Sequence, residues 1–145
     1  MNAPSIEGTY RLMRRELPDG TVQMPPAVKG TISFTKDIRN FSVVWKDDQG
    51  KYFSECYVAR YSLSDKEYRE TQDYLIVDDE IGGKGISHDL SAHTASSPVT
   101  IEGKHIGFDL PQPFEQALHI HVDIDGDQLK ATGKDMFVDY WKKMN

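Results

Sequence analysis

The sequence predicts an all-β protein, an antiparallel up-and-down β-barrel of about 8–10 strands, with residues 1–145 forming a single domain. Short runs rich in Val, Ile, Thr, Tyr and Phe alternate with turn residues along the whole chain. Asp, Gly, Ser or Pro interrupts these runs at regular intervals, as in PDGT, DDQG and DGDQ. Almost no stretch has the 3.6-residue hydrophobic period of a helix.

Ten segments have the composition of strands, and each ends near a turn signal. Closing a meander of this many strands removes the sheet edges and leaves an interior that is either filled or holds one small ligand. In chain order, the predicted strands cover residues 8–17, 28–35, 38–47, 51–63, 68–80, 84–93, 99–110, 115–124, 128–134 and 136–143.

Composition and charge exclude several classes of function. Lys and Arg total 17 against 23 Asp and Glu, a formal charge of -6, and the basic residues are scattered along the chain. This pattern disfavours binding to nucleic acid, which requires neutralisation of phosphates. No segment approaches the apolar length of a membrane helix, and the first ten residues lack the pattern of a secretory signal. The single Cys56 cannot form an internal disulfide. We therefore expect a cytoplasmic monomer or homodimer without membrane or nucleic-acid partners.

Alternation along each strand identifies the side chains that face the barrel interior. In the fourth predicted strand, Glu55 shares a face with aromatic residues, and in GISHDL His88 shares a face with Ile86 and Leu90. If the apolar faces turn inward, these residues form a ligand-binding interior. The set expected on this basis is Phe41, Val43, Trp45, Phe53, Glu55, Tyr57, Tyr61, His88, Leu90 and Phe108.

Glu55 and His88 are the polar members of this inward set. Buried polar groups need partners, so each is a candidate for contact with a ligand, or for a general acid or base in catalysis. The alternative is that each forms hydrogen bonds with its neighbours and has a structural role. No cofactor is expected, although haem binding through His88 or His93 stays open.

The segment LHIHVDIDGD, residues 118–127, concentrates histidine and aspartate and raises the question of a metal site. Its apolar residues form one continuous face, which we expect to be internal. A metal site needs three or four convergent ligands, and a calcium loop aligned on Gly126 has His121 and Thr132 where acidic ligands belong. We therefore predict no metal site, and we expect the polar residues of this strand to face outward: His119, His121, Asp123 and Asp125.

Three motifs carry a resemblance to a known family. IEGTYRLMRRELPDGT at 6–21 resembles the opening of calycin barrels, in which a Gly-x-Trp segment begins the first strand and closes the barrel floor. Gly8 and Thr9 match that motif, and Tyr10 stands in the position of the Trp. The ending VDYWKKM at 138–144 and the middle segment 85–110 are similar to the bacterial lipocalin-like domain proteins. The resemblance implies a lipocalin-like barrel whose interior holds an apolar or aromatic small molecule, and it adds Tyr10 to the expected ligand-binding residues.

Together these observations predict that the protein binds a small hydrophobic or aromatic molecule inside a barrel cavity. One alternative is a small barrel enzyme of the isomerase or cyclase type that uses His88 or Glu55 as general acid or base. Another is a filled barrel that serves as an interaction module.

Overall fold

The computed structural model describes residues 5–111 and 120–144. Within these ranges the chain forms twelve β-strands and no α-helix, so no described helix is long and apolar enough to cross a membrane. In chain order the strands are β1 (Gly8–Glu16), β2 (Val22–Gln23), β3 (Val28–Phe34), β4 (Ile38–Lys46), β5 (Tyr52–Leu63), β6 (Glu67–Asp79), β7 (Gly85–Asp89), β8 (Thr94–Glu102), β9 (His105–Leu110), β10 (Ile120–Asp125), β11 (Gln128–Gly133) and β12 (Phe137–Lys143).

Ten of the described strands close into an antiparallel barrel. Their order around the barrel is β1, β3, β4, β5, β6, β8, β9, β10, β11 and β12, and β12 pairs with β1 to complete the circle. Each barrel strand pairs antiparallel with the next, so the connectivity is up-and-down. The short strand β2 adds to β1, and β7 adds to β6. The predicted fold class is confirmed.

Two of the predicted strands differ from the structure. Residues 99–110 form part of a hairpin, β8 and β9, because Gly103 adopts a φ of +63° and reverses the chain. Residues 84–93 contain only the five-residue β7, which lies outside the circle of ten. The predicted strand 115–124 is confirmed from Ile120 onward, and its first part lies outside the described residues.

Strand β6 changes partner along its length. Residues Glu67–Thr71 pair with β8, whereas Leu75–Asp79 pair with β7. The register with β5 shifts between these two halves, because Ala59 lies opposite Gln72 and Val58 lies opposite Tyr74. One additional residue on β6 therefore forms a β-bulge, which turns the second half of the strand away from β8.

Aromatic packing fills one part of the barrel interior. The Tyr68 ring stacks on Phe108 with centroids 4.2 Å apart and on Tyr61 at 5.9 Å. Phe34 meets Tyr61 and Tyr10 edge to face, at 5.4 and 6.4 Å. All five rings are buried. This aromatic cluster, defined by these five residues, leaves the remainder of the interior to a cavity.

Candidate functional site

A cavity of about 110 Å³ lies inside the barrel. Eight of the ten barrel strands contribute to it, and most of its lining is aromatic or aliphatic, with four charged side chains. The lining residues are Arg15, Ile32, Arg39, Phe41, Val43, Trp45, Phe53, Glu55, Leu110, Ile120, Val122, Leu129, Ala131, Phe137, Asp139 and Trp141.

Five of the residues expected from the sequence line this cavity. Phe41, Val43 and Trp45 alternate along β4, and Phe53 and Glu55 alternate along β5 in the paired register. The Trp45 and Phe53 rings stack with centroids 4.4 Å apart, which makes a continuous aromatic wall. Strand alternation thus identified one wall of the cavity.

Four more expected residues are buried but lie beyond the cavity lining. Tyr10, Tyr61 and Phe108 belong to the aromatic cluster, where Tyr10 donates its hydroxyl proton to the Ile6 carbonyl. The Tyr61 hydroxyl donates to the Thr35 carbonyl, and burial raises its pKa to about 12. Tyr57 is fully buried against a charged network. All three tyrosines therefore use their hydroxyl groups as hydrogen-bond donors in the core.

The inward orientation expected for His88 and Leu90 is corrected by the structure. β7 pairs with the second half of β6, and His88 lies opposite Ile76, on the face that Cys56 shares. That face is the reverse of the one that carries Glu55, so His88 is exposed, and Leu90 is 78% exposed. The His93 side chain is also exposed. None of the three lies in the cavity lining.

An ion pair between β1 and β12 forms another part of the cavity wall. Arg15 donates from Nε to Asp139 Oδ1 at 2.7 Å and from Nη2 to Oδ2 at 2.9 Å. Both side chains are buried, and this bidentate geometry is the strongest form of the Arg–carboxylate pair. Burial raises the pKa of Asp139, although the hydrogen bonds and charge of Arg15 oppose that shift.

A second buried pair joins β4 to β6. Arg39 donates from Nη1 to Glu70 Oε1 at 3.0 Å. Glu70 also accepts the Tyr57 hydroxyl proton at 2.6 Å and the Tyr68 hydroxyl proton at 2.8 Å. The Glu70 carboxylate therefore has three donors, which offset the cost of burying its charge. Burial, with the charge of Glu70 next, raises the pKa of Tyr68 well above its ordinary value.

Glu55 is the remaining charged residue of the lining, and it is 5% exposed. Burial raises its pKa to about 7, while the positive charge of Arg39 acts in the opposite direction. A carboxyl group that titrates near neutral pH is able to exchange a proton with a bound molecule. The structure therefore supports the sequence-based choice of Glu55 as a polar group inside the barrel.

Three charged residues of the lining were not predicted from the sequence: Arg15, Arg39 and Asp139. Arg39 lies two residues before Phe41, and Asp139 lies two residues before Trp141, so each shares a strand face with an inward aromatic residue. Strand alternation alone therefore predicts that both side chains point inward. Arg15 breaks the alternation, because the β1 register shifts between Leu12 and Arg14. No sequence signal marks that bulge.

The Trp141 indole group adds a further donor to the site. Its Nε1 is buried and has no hydrogen-bond partner among the described residues. The ring packs 6.0 Å from Phe41, and a Cβ built on Gly30 would lie 3.0 Å from it. The indole N–H therefore belongs to a ring that its neighbours pack tightly.

The polar face of β10 lies outside the barrel, as expected. His121 Nδ1 is 2.8 Å from Asp109 Oδ1, and its Nε2 is 3.2 Å from Asp123 Oδ1. His105 Nε2 also meets Asp123 Oδ1, at 2.8 Å. These four residues form hydrogen bonds with one another. Within residues 5–111 and 120–144, no group of three or more His, Cys, Asp or Glu side chains is arranged to hold a metal ion. His119 lies outside the described residues.

Fold and site together define a closed ten-stranded antiparallel barrel with an internal cavity, and its lining includes Glu55, whose pKa burial raises to about 7. Comparison of the chain with protein-family models, with curated proteins and with solved structures found no match.

Proposed function

We propose that this protein binds a small apolar or aromatic molecule inside its β-barrel. The observation that carries the proposal is the cavity of about 110 Å³ inside the barrel, with its aromatic and aliphatic walls. A dry apolar cavity of about 150 Å³ in another protein accommodates benzene, so the expected ligand has roughly the size of a single ring. The resemblance of the first strand to calycin barrels is in keeping with this role.

Burial of apolar surface supplies most of the affinity in this proposal, and two polar groups orient the ligand. The Trp141 Nε1 donates a hydrogen bond, and the Glu55 carboxyl either donates or accepts one. A cavity of this volume is too small for haem or for a long lipid chain.

Benzyl alcohol is a suitable probe, because it combines one ring with one hydroxyl group. We expect saturable chemical-shift changes in the Trp45 and Trp141 indole signals on titration, with a dissociation constant in the millimolar range or below. Ala131→Leu fills the cavity from β11 and is expected to weaken binding at least tenfold. Ala92→Leu makes the same change at an exposed position and is expected to leave binding unchanged.

Far-UV circular dichroism of both variants checks that the barrel still forms. Equal affinity in the Ala131→Leu variant and the wild type, with the fold retained, would count against binding in the cavity. Failure of both benzyl alcohol and toluene to perturb the indole signals would overturn the proposed function.

A second candidate function is enzymatic, with Glu55 as general acid or base. The observation in its favour is that burial raises the pKa of Glu55 to about 7 inside the cavity. Cyclohexanone in D₂O tests this chemistry directly: Glu55 removes an α-proton, and a deuteron replaces it on the same carbon. We expect exchange above the rate of the Glu55→Gln variant, and equal rates in the two proteins would exclude Glu55 as the base.

A further inference from the structure

The charges around the cavity do not balance within the described residues. Arg15 is paired with Asp139, and Arg39 is paired with Glu70, each at hydrogen-bond distance. Glu55 is a third carboxyl group in the same interior, where the arginines number two. With every group ionised, this set carries one net negative charge.

A net negative charge inside an apolar cavity is costly, because the surroundings solvate it poorly. A proton on Glu55 removes the charge, and this is the form that its burial favours up to about pH 7. A bound cation is the other way to remove the charge, and it leaves Glu55 ionised.

The walls of the cavity already hold a positive charge against aromatic rings. The Arg15 guanidinium carbon lies 4.7 Å from the Trp45 ring centroid and 4.6 Å from the Phe137 ring centroid. These distances are typical of cation–π contacts, which stabilise a cation that has lost its water. Aromatic rings beside a buried carboxylate suit an organic ammonium group in the same way.

We infer that the cavity selects a compact ligand that carries a positively charged nitrogen, with Glu55 as its counter-ion. This inference rests on the proposed function, because it names the class of ligand for the same cavity. A neutral ring gains only apolar contacts and hydrogen bonds there. A cationic ring of the same size also places a second positive charge near Glu55, beside that of Arg39, and so offsets the net negative charge of this set.

Three probes of matched size separate these effects: benzylamine, benzyl alcohol and benzoate. We expect benzylamine to bind at least tenfold more tightly than benzyl alcohol at pH 8, and benzoate to bind more weakly than either. Benzylamine stays protonated over the pH range used. Its affinity is expected to fall roughly thirtyfold from pH 8 to pH 5.5, because Glu55 becomes protonated.

Other ionisable groups face the same interior, so the pH profile needs a control. They are Arg39 on β4, Tyr57 on β5, Glu70 and Tyr68 on β6, and the Arg15–Asp139 pair across the cavity. Glu55→Gln removes only the Glu55 charge. This variant is expected to lose the benzylamine preference over benzyl alcohol and the pH dependence of benzylamine binding. Glu102→Gln, at an exposed position of β8, is expected to behave as the wild type.

The outcomes distinguish this inference from the proposed function. If benzyl alcohol and benzylamine bind equally and Glu55→Gln changes neither, the inference is overturned and cavity binding stands. Tighter binding of benzoate would also overturn it, by pointing to the arginines as the ligand-binding charges. If none of the three probes binds, the proposed function itself fails.

Discussion

Glu55 differs from the other buried glutamate of the barrel, Glu70, in its partners. Its side chain is almost completely buried, yet it lines a cavity and is the additional carboxyl group beside two arginine–carboxylate pairs. Glu70 is equally buried, but three donors surround its oxygens. The difference between the two glutamates is therefore one of partners, and it singles out Glu55 for function.

Glu55→Gln tests the energetic cost of this carboxyl group in the ligand-free protein. The pKa of Glu55 is about 7 in the fold and about 4.5 in the unfolded chain, so the folded state holds the proton more tightly. Wild-type stability from this group is therefore highest below about pH 4.5, falls as the pH rises, and levels off above about pH 7. The free energy of unfolding of the wild type is expected to fall by at most about 1.4 kcal/mol per pH unit over this interval. We expect the variant to lack this fall.

Urea unfolding at several pH values from 4.5 to 8 measures this difference. The stability of Glu55→Gln relative to wild type should rise across that interval, and Glu102→Gln should show no such trend. A constant difference at every pH would contradict the raised pKa of Glu55.

At the level of elements, β6 shows how one strand serves two neighbours. The bulge opposite Val58 and Ala59 separates the half that pairs with β8 from the half that pairs with β7. Gln72 lies at this division and is buried, and its Nε2 donates to the Ser91 carbonyl at 3.0 Å and to the Asp89 carbonyl at 3.4 Å. The side chain thus adds to the backbone hydrogen bond from Gln72 N to the His93 carbonyl, at 2.7 Å, where β6 leaves β8.

Gln72→Met is expected to loosen β7 without unfolding the barrel. The change keeps the side-chain volume but leaves the two carbonyl groups without their amide donor. We expect faster hydrogen exchange of the β7 amides, by about tenfold, with little change in β10 and β11. Asp73→Asn, at the exposed neighbouring position, serves as the control. Unchanged exchange in β7 would show that Gln72 does not hold this segment.

The outer face of β9 and β10 depends on a glycine for its His–Asp contacts. A Cβ on Gly107 would lie 3.3 Å from Asp123 Oδ1 and 3.4 Å from His121 Nε2. Burial lowers the pKa of His121, but hydrogen bonds and charges from Asp109 and Asp123 outweigh this, so its net pKa is raised. The two aspartates therefore favour the protonated imidazole.

Asp109→Asn is expected to lower the pKa of His121, because it removes one negative charge at 2.8 Å from Nδ1. NMR titration of the imidazole signals measures the change, and Asp48→Asn in an exposed turn is the control. The raised pKa stabilises the fold below about pH 6.5, and this contribution is lost as the pH rises through the folded-state pKa. Since His121 is half exposed, the loss of stability at pH 5.5 should stay below about 1 kcal/mol.

At the level of the whole molecule, pairing of β12 with β1 closes the barrel. Tyr10 lies opposite Lys143 and Glu16 lies opposite Val138, so the closing ladder runs along nearly all of β1. Within it the Arg15–Asp139 pair is buried and joins β1 to β12. The same ion pair therefore joins the two strands that close the barrel and forms part of the cavity wall.

Asp139→Asn is expected to cost about 3–5 kcal/mol of unfolding free energy, because Arg15 keeps its buried charge but loses its carboxylate. The double variant Arg15→Met/Asp139→Leu removes both charges and is expected to recover most of that loss. Urea unfolding curves give both values. If Asp139→Asn were as stable as the wild type, the pair would have no role in holding β1 to β12.

Turn residues and strand alternation in the sequence predicted much of the barrel. The segments around Phe41 and Glu55 alternate strictly, so their inward faces were predicted correctly. His88 has the same local pattern, but the pairing of β7 with β6 puts it on the face of Ile76 and Cys56, which is the reverse of the face that carries Glu55. Alternation predicts which residues share a strand face, whereas the pairing of strands determines whether that face points into the barrel.

Local periodicity and turn residues were sufficient to predict the all-β class, the approximate strand boundaries and the presence of Glu55 on an apolar face. The register of β7, the bulge that turns Arg15 inward, and the division of the interior into an aromatic cluster and a cavity became evident only in the folded barrel. These features depend on contacts between residues far apart in the chain, such as Arg15 with Asp139 and Arg39 with Glu70. A local sequence pattern does not predict which distant side chain will contact a given residue across a closed barrel.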